Sequence, residues 1–298
     1  MLKRILYIII AGLLALALAS CGGKDAQNSP PADNAPAKNG PIWLDLDLSY
    51  VKEFSGGLAA VCQEDKWGYI DKTGKIAIPI TLDAAEPFKD GVAVVAMNFP
   101  TDDGPQTSFG LSDKAGEPLA LMDYQFIYSF KDGLAVAGLE GKCGFLDKSG
   151  QLAIPCEYDS AEDFSDGLAL VTKTDTEGFI SYGYIDKKGQ PAVPFLYEYA
   201  NSFAEGLALV CRDGKWGFID TAGAVRIDFI FADALSFGQH LAAVRQDMLW
   251  GYINAAGIMV IEPVFIEAKS FANGSAPVLT GRGWQFITLI DYKKGANL

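Results

Sequence analysis

The sequence has almost no histidine and fewer basic than acidic residues. The only histidine, His240, has no second histidine with which to build a zinc site, and it replaces a turn glycine, so we expect a surface turn residue. Lys and Arg number 24 against 37 Asp and Glu, a net charge of −13 that argues against a nucleic-acid partner. The five cysteines include no C-x-x-C pair. We therefore expect no metal, no cofactor and no catalytic residue.

The N-terminus has the pattern of an export signal. Lys3 and Arg4 precede the apolar run 5–19, which ends at Leu18-Ala-Ser-Cys21 and is short for a membrane span. This pattern predicts a signal peptide over residues 1–20. Leu-Ala-Ser-Cys also resembles the lipobox of bacterial lipoproteins, which implies that Cys21 is lipidated and anchors the chain to a membrane. Gly22 rather than Asp at the next position favours the outer membrane, and an ordinary secreted protein is the alternative.

Residues 22–40 are rich in Pro, Ala, Asn and Gly and show no periodicity. Such a composition cannot form a core, so residues 21–40 are interpreted as the lipidated cysteine with a flexible tether. Residues 41–298 then form the folded domain.

The folded domain consists of repeats. The starts of successive repeats are separated by 34, 42, 34, 39, 34 and 34 residues. A period of this size is the signature of a repeat architecture. The seven repeats start at Phe54, Phe88, Phe130, Phe164, Phe203, Phe237 and Phe271.

Each repeat has a pattern of strands and tight turns. Asp132-Gly133 and its equivalents are typical of a hairpin turn in which Gly takes positive φ. A short apolar run such as 207–210 follows, then Trp-Gly-aromatic-Ile-Asp, and then a D-x-x-G turn such as 147–150. No window has sustained helical periodicity. The sequence therefore predicts an all-β array of seven units of roughly 34 residues.

The two ends of the array complement each other. Residues 41–54 align without gaps on residues 75–88, the back half of a repeat, whereas the segment after Phe271 is a front half. Residues 41–53 would thus complete the last unit, which favours a propeller-like closed ring because closure removes unpaired strand edges. An open β-solenoid is the alternative, since 34 residues are few for a propeller blade.

The recurring dipeptide gives a family resemblance. Trp-Gly occurs at 67–68, 216–217 and 250–251, whereas Phe109, Cys143 and Tyr182 replace the Trp and Gln285 replaces the Gly. Over residues 41–298 the chain resembles the WG-repeat (KWG-repeat) family of bacterial proteins. The resemblance implies an extracytoplasmic interaction module and no particular chemistry.

Two repeats are longer than the others, by insertions at 96–108 and 172–181. Insertions in repeat proteins map to one face and often carry binding, although drift in a tolerant loop is the alternative. We expect both to be loops on one face. The partner-binding residues predicted there are Asn98, Phe99, Asp102, Asp103, Gln106, Thr174, Asp175, Glu177 and Phe179.

Other recurring residues are interpreted as structural. The Asp residues that open the D-x-x-G turns are expected to serve the turns rather than to form a calcium site. The Trp-Gly pairs, in which the Gly allows close backbone approach, are expected to pack in the core between neighbouring units rather than to form a sugar-stacking platform. Cys143 and Cys156 lie on neighbouring predicted strands and could form a disulfide, whereas Cys62 and Cys211 are expected to be small buried residues, too far apart to bond.

These observations favour a lipid-anchored cell-envelope scaffold that binds another envelope protein through its repeat surface, and not an enzyme. The first alternative is a carbohydrate or peptidoglycan binder that uses exposed aromatic residues such as Trp43, Tyr182 or Trp284. A hydrolase with carboxylates in a central funnel is the weakest alternative.

Overall fold

The computed structural model describes residues 46–101, 104–122 and 124–288. The signal peptide, Cys21, the tether, Trp43, Asp102 and Asp103 lie outside the described residues. The described residues contain strands and turns only, and among them no helix is long and apolar enough to cross a membrane. The expected all-β chain is therefore confirmed.

The chain divides into two compact bodies. Of the described residues, those up to Gly133, together with Lys148–Gly150, form the N-terminal body, and Leu134–Asp147 with those from Gln151 onward form the C-terminal body. Each body consists of consecutive antiparallel sheets, and within a sheet the strands pair in chain order. One repeat thus corresponds to one sheet of three or four strands.

The N-terminal body contains sheets 1 and 2. Sheet 1 is β1 (Tyr50–Val51), β2 (Leu58–Gln63), β3 (Lys66–Asp71) and β4 (Ile76–Leu82). Sheet 2 is β5 (Ala84–Ala85), β6 (Val92–Thr101), β7 (Gly104–Asp113) and β8 (Pro118–Met122), and the short β9 (Phe126–Ile127) follows.

The C-terminal body contains the remaining strands. Sheet 3 includes β10 (Leu134–Leu139), β11 (Lys142–Asp147) and β12 (Leu152–Tyr158). Sheet 4 is β13 (Ser160–Ala161), β14 (Ala169–Thr174), β15 (Ile180–Ile185) and β16 (Pro191–Tyr197). Sheet 5 is β17 (Tyr199–Ala200), β18 (Leu207–Arg212), β19 (Lys215–Asp220) and β20 (Val225–Phe231). Sheet 6 is β21 (Asp233–Ala234), β22 (Leu241–Gln246), β23 (Leu249–Asn254) and β24 (Met259–Phe265), and sheet 7 is β25 (Glu267–Ala268), β26 (Ser275–Thr280) and β27 (Gly283–Thr288).

Aromatic pairs join five of the sheets to the sheet that follows. The ring of Tyr184, in sheet 4, packs against Phe203 of the next repeat with centroids 4.8 Å apart, and its hydroxyl donates to the Asn201 carbonyl at 2.7 Å. Both rings are buried. The same pairing recurs at the equivalent positions in other repeats: Tyr69–Phe88, Phe145–Phe164, Phe218–Phe237 and Tyr252–Phe271. In these pairs the repeated Phe of one repeat therefore packs into the core of the repeat before it.

The glycine of the Trp-Gly dipeptide accommodates a bulge in the neighbouring strand. In sheet 5 the register changes between Trp216↔Phe231 and Phe218↔Ile227, so the β20 backbone bends over Gly217. A Cβ atom on Gly217 would lie 2.7 Å from the Ile227 carbonyl oxygen, closer than packing allows. The predicted close backbone approach is confirmed.

The tryptophan of the dipeptide is less uniform than the core prediction requires. Trp67 is only 7 % exposed and belongs to the core of the N-terminal body. Trp216 and Trp250 are half-buried, and Trp284 is 51 % exposed. Trp284, which precedes Gln285 and not a glycine, is exposed as the sequence suggested, because β27 is the last strand described in sheet 7 and no fourth strand pairs with it there.

The D-x-x-G turns are formed as predicted. In the turn that opens at Asp186, Oδ1 accepts from the backbone N–H of Lys188 at 2.8 Å and of Gln190 at 2.9 Å. Asp71, Asp113, Asp220 and Asn254 make the same pair of bonds. Because an amide oxygen serves as well as a carboxylate, these residues act in the turns. Among the described residues there is no group of three or more metal-ligating side chains.

The cysteine expectations need correction. Cys143 and Cys156 are both free thiols. The bulge in sheet 3 pairs Cys143 with Tyr158 rather than with Cys156. Their thiols point to different carbonyls, that of Cys143 to Asp159 and that of Cys156 to Ala137. The other two, Cys62 and Cys211, are both buried as expected, and Cys211 is a free thiol.

Candidate binding surface

The candidate surface is the hairpin edge, defined as the edge of each sheet formed by the turn between its second and third strands. The two-residue turn Asp213-Gly214 of sheet 5 is its shortest form, with φ of 53° and 67°. Both insertions predicted from the sequence occur at this turn, one in each body.

The first insertion is a strand extension and not a loop, which corrects the sequence expectation. In the N-terminal body β6 and β7 pair without interruption as far as Thr101↔Gly104, through Asn98↔Thr107 and Phe99↔Gln106. Antiparallel pairing satisfies the backbone groups of the inserted residues, so an extended ribbon is more stable than an open loop. The Phe99 side chain is 41 % exposed and Gln106 is exposed.

The second insertion is a five-residue turn, 175–179, between two strands of six residues each, the same length as the equivalent strands of sheet 5. In the C-terminal body Asp175 Oδ1 accepts from the backbone N–H of Glu177 and of Phe179, both at 2.9 Å. Asp175 therefore shapes the turn, as the D-x-x-G aspartates do. Glu177 is exposed and the Phe179 ring is 65 % exposed. An unburied Phe at a tight turn contributes little to folding and is available for contact.

One carboxylate anchors each insertion, and the sequence did not single these residues out. Asp159 Oδ2 accepts from the Thr174 backbone N–H at 2.6 Å, while its other oxygen pairs with Lys142. Asp83 does the same in the N-terminal body, with Asn98 N–H at 2.7 Å. The sequence pattern that could have identified these residues is an Asp five positions before the Phe of each repeat that carries an insertion.

The pKa values of these two carboxyls are lowered. Partial burial of Asp159 favours its neutral form, but the bonds from Lys142 and from the Thr174 amide outweigh that effect. At Asp83 burial is likewise outweighed by bonds from Lys66 and Asn98. Both carboxylates are therefore ionised at neutral pH and hold the inserted strands in place.

The edge also carries a group of aromatic rings in the C-terminal body. The Tyr199 ring lies 5.9 Å from that of Tyr182 and 6.2 Å from that of Trp216. Tyr199 is 57 % exposed, whereas the other two are half-buried. Burial, with the charges of Tyr199 and Glu162, raises the pKa of Tyr182. Only Tyr182 of this group was suggested by the sequence, because each contact joins residues 17 positions apart. Tyr182 and Tyr199 lie in sheets 4 and 5, whereas Tyr199 and Trp216 lie on different strands of sheet 5.

His240 behaves as expected of a turn residue. Its φ is 70° at the position where other repeats have glycine, and its side chain is 92 % exposed. Its backbone N–H donates to Glu205 of the preceding repeat at 2.8 Å. The equivalent bonds Gly206 to Asp166 and Gly274 to Gln239 link further pairs of repeats.

Comparison with known structures gives matches at low identity. A eukaryotic initiation factor crystal structure is 12 % identical, with 89 % of this chain and 77 % of that chain covered and a TM-score of 0.49. KlHsv2 with loop 6CD replaced by a Gly-Ser linker is 8 % identical, with 79 % of this chain and 95 % of that chain covered and a TM-score of 0.38. The AfRom2 CNH domain is 9 % identical, covering 73 % and 82 %, with a TM-score of 0.32.

No curated protein matches the chain. The family model described as the WG containing repeat matches it seven times, which confirms the repeat count. The matched residues are 38–67, 67–98, 109–143, 144–176, 182–216, 216–247 and 250–284. They cover most of the sequence, and the first match includes the N-terminal back half. The chain belongs to the WG-repeat family.

Proposed function

We propose that this chain is a lipid-anchored scaffold of the bacterial cell envelope that binds another protein through its hairpin edge. One observation carries the proposal. Two repeats have insertions at this edge, and each insertion is held in place by a carboxylate and exposes one Phe. Asp83 and Asp159 fix the inserted strands, while Phe99 and Phe179 remain exposed. Such placement of apolar groups on a rigid support is typical of a binding surface, and no catalytic step is assigned to it.

The test is crosslinked affinity capture from intact cells. The variant replaces residues 98–107 and 175–179 by two-residue Asp-Gly turns like that at Asp213-Gly214. We expect the partner to be recovered with the unchanged chain and lost with the variant, at a similar melting temperature. A control with Asp-Gly at the turn 247–248 should retain capture. Recovery of the same partner with the double-trimmed variant would exclude the insertions as the binding site.

The anchor is proposed from the N-terminal sequence. Two or three acyl chains on Cys21 would attach the mature chain firmly, with the outer membrane favoured. Metabolic labelling with a palmitate analogue should mark the unchanged chain and not Cys21→Ser. Labelling of Cys21→Ser would show that this lipobox assignment is wrong.

We also propose that the seven repeats close into a propeller-like ring through residues 41–53. Its support is the complementarity of the two termini, together with the packing of Leu46 and Leu48 on Ala59, Val61 and Ile70. Deleting 41–53 should lower the free energy of unfolding by about 4 kcal/mol, because apolar side chains and a strand are lost. Unchanged stability would favour an open solenoid.

Glycan binding is the second candidate function. The observation that favours it is the exposure of aromatic rings at Tyr199 and Trp284. Sedimentation with purified cell wall tests it: pelleting that is lost in Trp284→Ala would support glycan binding, and a chain left wholly in the supernatant would contradict it.

A further inference from the structure

An aromatic surface on the C-terminal body lies beside exposed carboxylates. We call Tyr182, Tyr199 and Trp216 the aromatic strip, since their rings follow one another at 5.9 and 6.2 Å. Tyr199 and Trp216 both lie opposite Cys211 in sheet 5, so the strip runs from the first strand of that sheet across the second to the third, beside the hairpin edge. Glu162 and Glu198 are exposed.

In two other repeats, a lysine of the chain itself places its ammonium group over the ring at the Trp position. Lys52 lies two residues before Phe54, and its Nζ is 5.0 Å from the Trp67 ring centroid and 3.2 Å from Glu86. Lys269 lies two residues before Phe271, and its Nζ is 5.7 Å from the Trp284 ring centroid. It also pairs with Glu267. An ammonium group between an aromatic face and a carboxylate is thus a recurring arrangement of this repeat.

In repeat 4 the charge at this position is reversed. The residue two positions before Phe164 is Glu162, and its negative charge contributes to the raised pKa of Tyr182. Its carboxylate accepts one hydrogen bond, from Ser202 Oγ at 2.6 Å. This repeat therefore supplies the aromatic ring and the carboxylate, while the lysine of the other two repeats is missing from it.

The described part of the chain places no cation over the three rings of the strip. Lys173 is paired with Glu157 at 3.0 Å and lies over the Tyr158 ring at 4.9 Å. Arg212 lies over the Phe229 ring at 4.2 Å. These two cations are engaged on other rings, which leaves the exposed face of Tyr199 to an external group.

We propose that the aromatic strip with Glu162 binds a lysine or arginine side chain from a basic segment of the partner protein. This inference rests on the proposed function and names the chemistry of the partner. A desolvated cation over a Tyr or Trp face gains attraction from the ring, and the adjacent carboxylate adds a charge pair. The net charge of −13 would also attract a basic segment from solution.

The probe is a capped tetralysine peptide, titrated calorimetrically into the full-length chain, with capped tetraglutamine as the neutral control. Glu162→Lys restores the residue type found at positions 52 and 269, so the chain would fill its own site. Glu262→Lys makes the same change of charge at an exposed residue of β24. We expect tetralysine affinity to fall at least tenfold in Glu162→Lys and less than twofold in Glu262→Lys.

A second variant tests the rings. Tyr199→Ser removes the most exposed ring without altering charge, and we expect tetralysine affinity to fall about fivefold, as loss of a cation–ring contact implies. Tetraglutamine should not bind any variant. The melting temperature of each variant, measured alongside, identifies any loss of affinity caused by unfolding.

Three results would overturn the inference. Equal weakening by Glu162→Lys and Glu262→Lys would mean that only overall charge attracts the peptide. Binding of chitotetraose that is lost in Tyr199→Ser, with no binding of tetralysine, would assign the strip to a glycan. Partner capture that depends on the insertions but is unchanged in Glu162→Lys would leave the proposed function standing and contradict this inference alone.

Discussion

The interior of the repeats and their hairpin edge follow opposite rules. In the interior of the C-terminal body, Tyr184–Phe203, Phe218–Phe237 and Tyr252–Phe271 pair at 4.8, 4.9 and 5.1 Å. At the edge the equivalent turns carry Phe179, Gly214, Met248 and Arg282, with different lengths and chemistry. The interior is constant because every repeat must bury the same face against its neighbour. The edge is not bound by that requirement, so the differences there are where a binding role can be encoded.

The sharpest contrast is between two phenylalanines. Phe203→Ala removes a buried ring from the core around Tyr184, so the free energy of unfolding should fall by about 4 kcal/mol. Phe179→Ala, at the exposed turn, should change it by less than about 0.5 kcal/mol. Urea unfolding of both variants measures the difference, and similar losses would contradict the division into interior and edge.

Two glycines should differ for a steric reason. Gly217→Ala places a Cβ atom 2.7 Å from the Ile227 carbonyl oxygen, so the bulge must move, at a cost of about 3 kcal/mol. Gly206→Ala has open space around its Cβ, so only the positive φ of 82° is unfavourable, and the free energy of unfolding should fall by about 1 kcal/mol. Thermal unfolding should rank them in this order, and the reverse order would contradict the role assigned to the Trp-Gly dipeptide.

The anchoring carboxylate should make stability depend on pH. The folded pKa of Asp159 is lowered, so its contribution is present above the pKa of the unfolded chain and is lost as pH falls through the folded value. At neutral pH Asp159→Asn should cost about 1 kcal/mol, and the difference from the unchanged chain should shrink on acidification. Urea unfolding at pH 7 and at pH 3 checks this. A difference that is the same at both pH values would show that the charge is not what anchors the strand.

The smallest effect is expected at His240. Its φ of 70° is strained for a residue with a side chain, so His240→Gly should stabilise the chain by about 0.5 kcal/mol. The bond from its backbone N–H to Glu205 is retained in the variant. A loss of stability would indicate that the His240 ring, which lies 3.5 Å from Glu205, contributes more than the turn geometry.

The sequence predicts what repeats and misses what depends on pairing between distant residues. Repeat starts, D-x-x-G turns and the close approach at Gly217 were predictable because each is a local pattern seen several times. The pairing of Cys143 with Tyr158 follows from a bulge, which shifts the register without a signal in spacing. The ribbon at Asn98↔Thr107 was mistaken for a loop, since its polar composition hides the ladder that satisfies its backbone.

Site-specific photo-crosslinking in intact cells tests the central claim most directly. A photoreactive residue at Glu177 lies in the turn between β14 and β15, whereas one at Lys188 lies in the turn at the opposite end of β15. Both positions are exposed and belong to the same sheet. Binding through the hairpin edge predicts a partner adduct at position 177 and none at 188. An adduct at 188 alone, or equal adducts at both, would contradict it.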